Sequence, residues 1–342
     1  MFLSFKKVLI FILLYSVYSI QYSFGQLIPN LGGQRTGISS FTFLKNDVSP
    51  RAIAMGGAIT TMKGDAYSSQ WNPATLTEVS NHSFAASTRT YALGINHSFA
   101  AANVRLRETD FLAVSVNNLS SGAMDVRTEF MPGGTGEKFY FNTMAIGLSY
   151  AKALTYKFSL GMSVKYLEES IDLYRARGLG VDVGFIYKTD FKDLRFGVFL
   201  QNFGPNTRAS GNYQVPNFVN RQFTPDGFAS PTVFKFGASF TPLKKDLHLL
   251  AVAAELNHPS DNASNMRFGA EYSYNDILFF RAGYWLNIPG LHIPTAGVGL
   301  RAVIKNQIVH INYAFAMANA LGVNHNFGLS ITFNNPKNKD ER

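Results

Sequence analysis

The chain has 342 residues, no cysteine and a formal charge of +9 at neutral pH. The missing thiols exclude disulfides, cysteine nucleophiles and cysteine-ligated zinc, and basic residues scattered without a stripe argue against nucleic-acid binding. Aromatics make up 14% of residues, including 30 Phe and 16 Tyr, yet mean hydropathy is close to zero, the balance expected of strands with one apolar and one polar face.

Residues 1–25 read as a secretion signal. Lys6 and Lys7 give a positive start, Val8–Ile20 is an apolar run of signal length, and Ser23 and Gly25 are small residues at the positions a signal peptidase reads. Cleavage is expected before Gln26, with export through the Sec pathway. Loss of the two lysines lowers the charge from +9 to +7. No later stretch is long and apolar enough to span a membrane as a helix.

Residues 26–80 form a lead-in and a non-strand element. Ser49-Pro50-Arg51 has the form of a helix start, with Ser at the cap and Pro in the first turn. Asp65–Ser69 predicts a second short helix ending at Trp71-Asn72-Pro73-Ala74. A small helical element ahead of the first strand is the pattern of a lumen plug, or of a periplasmic extension.

From about residue 82 to Phe333 apolar and polar residues alternate, the period of a strand with one wet face. In Val309–Phe315 the residues Val309, Ile311, Tyr313 and Phe315 alternate with His310, Asn312 and Ala314. In Val233–Phe240, Phe234, Phe236 and Phe240 alternate with Lys235, Gly237 and Ser239. Fifteen segments read as strands: 82–89, 92–102, 110–119, 122–130, 138–151, 156–168, 178–188, 193–202, 232–241, 247–257, 265–275, 276–287, 295–304, 306–317 and 324–333. Short links at 152–155, 189–192, 242–246, 275–276 and 305–306 alternate with mostly longer ones at 131–137, 169–177, 203–231, 258–264, 288–294 and 318–323. Outer-membrane barrels sort their links in this way, with short turns in the periplasm. Both ends on that side require an even count, so fourteen strands are expected, with 82–89 or 122–130 surplus. The fold expected is an all-β transmembrane antiparallel barrel over 81–333, with a helical plug before it and a periplasmic tail at 334–342.

The alternation directs Lys165, Asp182, Arg195, Lys235, Glu255, Arg267, Glu271, Arg281 and Arg301 inward. Such charges either pair across the lumen and brace it, or mark an ion or substrate path. The segment Phe203–Pro231 is the candidate partner-binding loop. Its Arg208, Tyr213, Phe218, Arg221, Phe223 and Phe228 either pack on one another or dock a protein.

No catalytic, cofactor or metal site is read from the chain, and none is expected. The seven histidines form no His-Glu-x-x-His pattern. His97, His258 and His292 are expected in solvent, and His310 and His325 near one rim. Gly133–Lys138 fails as a phosphate loop because Glu137 separates Gly136 from Lys138, and Phe139 follows the lysine.

The motifs Arg51-Ala52-x-Ala54-Met55-Gly56-Gly57-Ala58, Asp65-Ala66 and Trp71-Asn72-Pro73-Ala74-x-Leu76 resemble the opening of the PorV/PorQ family. Gly37–Leu44, Pro132–Glu137 and the strand with Gly161, Lys165 and Tyr166 are similar too. The resemblance implies a FadL-like barrel of fourteen strands, plugged by Arg51, Met55, Gly56, Gly57, Trp71, Asn72, Pro73 and Ala74. It implies a non-enzymatic role in type IX protein secretion in a Gram-negative outer membrane. The implied partners, besides outer-membrane lipid, are the translocon, cargo C-terminal signal domains and a sortase-like attachment complex. The alternative is a FadL-like channel for hydrophobic small molecules, which predicts an apolar pocket beside the plug and a gap at a kinked strand.

Overall fold

A computed structural model describes residues 37–172, 174–211, 227–287, 294–305, 307–317 and 322–333. The expected signal segment, the expected periplasmic tail and most of the 203–231 loop lie outside these.

Fourteen strands close into one antiparallel barrel. They are Ser83–Thr90 (β1), Asn96–Arg105 (β2), Asp110–Asp125 (β3), Lys138–Ala153 (β4), Phe158–Ile171 (β5), Tyr174–Lys188 (β6) and Arg195–Phe203 (β7). Then come Val233–Lys245 (β8), His248–Pro259 (β9), Asn265–Tyr274 (β10), Leu278–Leu286 (β11), Thr295–Ile304 (β12), Gln307–Met317 (β13) and Val323–Phe333 (β14). Each pairs with the next, and β14 returns to β1 through Ser83↔Thr332 to Thr90↔His325. Closure leaves no free edge, which hydrocarbon would penalise through unpaired amides. The two-residue strand Ala209–Ser210 adds to Arg175 and Ala176 on β6.

The period of two becomes the two faces of the wall. Phe234, Phe236, Phe280, Ile311 and Phe327 stand exposed on the outside, with Ile311 and Phe327 each at 57% exposure. Their inward neighbours Lys235, Arg281, Asn312 and Asn326 are buried. Large apolar side chains covering a barrel whose charges point inward need a lipid surround.

Two expectations need correction. Residues 122–130 are no separate strand, and 82–89 is the true first strand. β3 runs unbroken from 110 to 125, with a bulge between Ser120 and Ala123 where Gly122 takes φ +72°. The added residue breaks the alternation, so one strand reads as two. Nor is 169–177 a loop. β5 and β6 stay paired to Ile171↔Tyr174, and Asp172 turns the corner at φ +49°. Glu169, Arg175 and Arg177 look loop-like because they are polar, yet Arg177 is the cross-strand partner of Glu168 at 3.4 Å. At the opposite end Asn275 and Asp276 both take φ +53° between β10 and β11. Asn and Asp tolerate that left-handed corner, which keeps the turn tight.

Candidate functional site

The lumen is filled by residues 39–79. Thr42–Lys45 forms a 3₁₀ turn, Pro50–Ala54 a helix (α1), Ser68–Trp71 a second helix (α2) and Pro73–Glu78 another 3₁₀ turn. Trp71, Tyr67, Met55, Ile59 and Leu76 are among the most deeply buried side chains of the molecule. Val48, Ala52, Met55, Ile59, Tyr67 and Trp71 of the plug cluster with Ala85, Phe99, Ala101, Ala251 and Ala253 of the wall, while Phe41, Ile53 and Leu76 belong to separate clusters.

Small residues let α1 approach the wall. Ala54 packs on Ala314 and Ala316, and its carbonyl accepts from the Thr295 hydroxyl at 3.0 Å. Gly56 and Gly57 end the helix at φ +61° and +73°, which a side chain would oppose. The Trp285 indole N–H donates to the Gly56 carbonyl. A Cβ at wall position Gly283 would strike the Met55–Gly56 backbone. Ser49 precedes Pro50 in the cap position but makes no cap bond, and its hydroxyl is buried without a partner.

Asn72 joins three pieces of plug. Its Oδ1 accepts from the Ala74 N–H at 3.0 Å, capping the turn that Pro73 begins, and its Nδ2 donates to the Thr60 carbonyl at 3.0 Å. The Trp71 indole donates to Thr75. The Tyr67 hydroxyl sits between the carbonyls of Ala86 on β1 and Leu329 on β14, at 2.7 and 3.0 Å. It therefore ties the plug to the seam where the barrel closes.

Eight of the nine inward charges are at most 8% exposed, and Arg301 lies nearer the short-turn mouth, joined to Asp276. They fall into separate networks. Glu271 accepts from Arg51 Nε and Nη2 at 2.8 and 2.7 Å and from Arg281 Nε at 2.6 Å. Arg51 also donates to the Lys63 carbonyl and lies 3.5 Å from Asp65. Glu78 holds Arg195 and Lys188, each at 2.9 Å, and accepts from the Gly64 N–H at 2.8 Å. Lys165 pairs with Asp182 at 2.6 Å and donates to Asn202. Arg267 lies 3.5 Å from Asp47. Glu255 accepts from the Thr60 N–H, and Lys235 sits over the Phe199 ring. Burial alone would raise the Glu78 carboxyl, but Arg195 and Lys188 hold it below its ordinary value. At Asp65 burial outweighs Arg51, and the carboxyl is raised.

Three plug acids, Asp47, Asp65 and Glu78, were not singled out by the sequence reading. The inward set holds six cations against three acids, and buried cations call for acid partners, but the plug's Lys45, Arg51 and Lys63 equal its acids in number, so charge counting does not single these three out.

His97, His310 and His325 depart from expectation. His97 is 1% exposed, with Nε2 2.6 Å from Asn117 Oδ1, because residue 97 of β2 faces the lumen. His258 is exposed and hydrogen-bonds Ser264, while His292 lies outside the described residues. His310 and His325 do not share a rim. His310 lies near the short-turn start of β13, and His325 near the opposite end, stacked on Tyr313 on the outside. Of the candidate loop residues, Arg208 and Phe228 are exposed, and Thr207 and Phe228 exchange backbone hydrogen bonds. Tyr213, Phe218, Arg221 and Phe223 lie outside the described residues.

A closed barrel with an apolar outside, and a lumen stopped by the chain's own N-terminal part, defines a plugged outer-membrane barrel. The architecture is shared with solved hydrocarbon transporters. The toluene transporter TodX of P. putida superposes with a TM-score of 0.58 at 11% identity, over 84% of this chain and 98% of that one. The CymD monoaromatic hydrocarbon channel gives 0.52 at 15% identity, over 84% and 98%. A FadL homologue from Pseudomonas aeruginosa gives 0.52 at 10% identity, also over 84% and 98%. Identities this low establish the fold alone. No curated protein matches the chain. The family model described as type IX secretion system protein PorV matches residues 32–259. The chain belongs to that PorV family and is an outer-membrane component of type IX secretion.

Proposed function

We propose that this barrel is a non-enzymatic docking component, whose outer rim binds the translocon or the C-terminal signal domain of cargo and passes cargo to the surface attachment complex. Maturation by cleavage before Gln26 after Sec export belongs to the same reading. The observation that carries it is the built-in seal. The plug is tied to the wall by buried ion networks and by Tyr67 at the seam, so the outer surface is the part left to work. Arg208 and Phe228 stand exposed at the two feet of the long loop, where an aromatic and basic surface would meet a protein.

The alternative, a hydrophobic-compound channel, draws on the solved hydrocarbon channels and on one irregularity. At Asn202 (φ +58°) β7 kinks, and the β6–β7 register shifts between Val181 and Val183. Behind that kink stand Lys165, Asp182 and Asn202, a charged backing unsuited to an apolar solute. This favours docking over conduction.

The test is deletion of residues 206–228. Copurification with cargo or translocon is expected to disappear while the barrel stays heat-modifiable on gels. Intact copurification removes the loop from the mechanism. A bound lipid-like molecule with no protein partner supports the channel.

A further inference from the structure

At its short-turn end, periplasmic in outer-membrane barrels, the lumen opens into a cavity of about 330 Å³. The plug turn around Lys63–Asp65 forms one side, and β8 to β14 form another. The size suits a small ligand.

The acceptors in this cavity are already taken. Five carboxylates line it: Asp65, Glu78, Asp193, Glu271 and Asp276. Each has a cationic partner, in Arg51, Arg195, Arg281, Arg301 or Lys188. The donors are in surplus. Arg281 spends Nε on Glu271 and Nη1 on Asn312, at 2.6 and 2.8 Å, leaving Nη2. Arg301, among the described residues, bonds only through Nη1, to Asp276. Among the described residues the Lys63 ammonium has no ion pair, and the His310 ring has no hydrogen bond, only the Phe279 ring 6.0 Å away. Beside these donors lies an apolar strip of Leu249, Phe279 and Ile308.

We propose that this vestibule is a binding site for a small oxyanion with a short apolar body, a carboxylate or a phosphate ester. The oxyanion sits among Arg281, Arg301, His310 and Lys63, and the body lies along Leu249, Phe279 and Ile308. A cavity whose carboxylates are paired while Arg281, Arg301 and Lys63 keep unspent N–H donors favours an acceptor-rich ligand over a cation. The site is independent of what the outer rim binds.

The experiment is calorimetric titration of the detergent-solubilised full chain with butyrate, butyl phosphate, inorganic phosphate and butylammonium. Butyrate or butyl phosphate is expected to bind at about 1 mM or tighter, and the tighter of the two assigns the headgroup. Inorganic phosphate is expected to bind more weakly than butyl phosphate. Substituting Arg301→Gln with Lys63→Gln should weaken the better anion roughly tenfold or more. Heat-modifiable mobility, unchanged in the variant, reports the intact barrel. Absence of anion binding, equal binding of butylammonium, or undiminished binding by a folded variant overturns the site. Phosphate binding as tightly as its ester overturns the apolar strip as part of it.

Discussion

Substituting Glu271→Gln tests how the plug is held. The glutamate accepts three hydrogen bonds from Arg51 and Arg281 at 2.6–2.8 Å, and its side chain is only 8% exposed. An amide keeps the shape and removes the charge, so two buried guanidiniums face each other with Asp65 3.5 Å from Arg51 as the remaining acid. Removing one partner of a buried ion pair costs about 3–5 kcal/mol. At about 1.4 kcal/mol per tenfold, the ratio of docked to undocked plug falls by roughly two to nearly four orders of magnitude. The sheet itself does not depend on this contact, so the barrel stays heat-modifiable. The assay is planar-bilayer conductance together with tryptic cutting at Lys63. The wild type is expected to be silent and resistant, and the variant to show openings and rapid cleavage. A companion variant turning Arg51, Glu271 and Arg281 to Met and Asp65 to Asn should recover much of the seal, because an uncharged replacement of a whole buried network is often neutral. Unchanged conductance and cleavage in the glutamine variant would refute the argument.

Other perturbations follow from the same geometry. Gly283→Val puts a side chain against the Met55–Gly56 backbone, and the overpacking should loosen the plug by about 1–3 kcal/mol, seen as faster tryptic cutting. Asn72→Ala removes the bonds to Ala74 and Thr60 and should cost about 1–3 kcal/mol of plug stability, read by the same digestion. Glu78 has a depressed value in the folded chain, so its contribution is whole above the ordinary 4.5 and is lost as pH falls through the folded value. Bilayer conductance should therefore rise on acidification below that point, and Glu78→Gln should flatten this response. Asp65, raised by burial, acts with the opposite sign, so a wild type that seals better in acid would contradict the dominance of Glu78. Trp71, fully buried, should resist acrylamide quenching, which a Trp285→Phe variant makes readable by leaving it the sole indole.

Much of this architecture was legible because lipid imposes a strict period. Where Phe234–Phe240 and Val309–Phe315 alternate without a break, the strand and both its faces follow from the sequence. A bulge at Gly122 shifts the period and hides the continuity of β3, and the polar run Glu169–Arg177 has a loop's composition although it is paired strand on both sides of its turn. The expectation of a solvated His97 failed, because proximity to a strand end does not decide which face a residue takes. The Ala-Met-Gly-Gly segment carried the family resemblance, but nothing in it named the wall strands it packs against. The partnership of Glu271 with Arg51, 220 positions away, has no local signature.

The central claim is that the N-terminal segment occupies the bore of a membrane barrel, and the cysteine-free chain offers a clean probe of it. The Thr77 hydroxyl of the plug donates to the Ser159 hydroxyl of β5 at 2.9 Å, a spacing close to disulfide reach. Thr77→Cys with Ser159→Cys should oxidise to an intramolecular cross-link in outer membranes, visible by mobility on a non-reducing gel. Two free thiols, both labelled by a bulky maleimide in the folded barrel, would contradict the account.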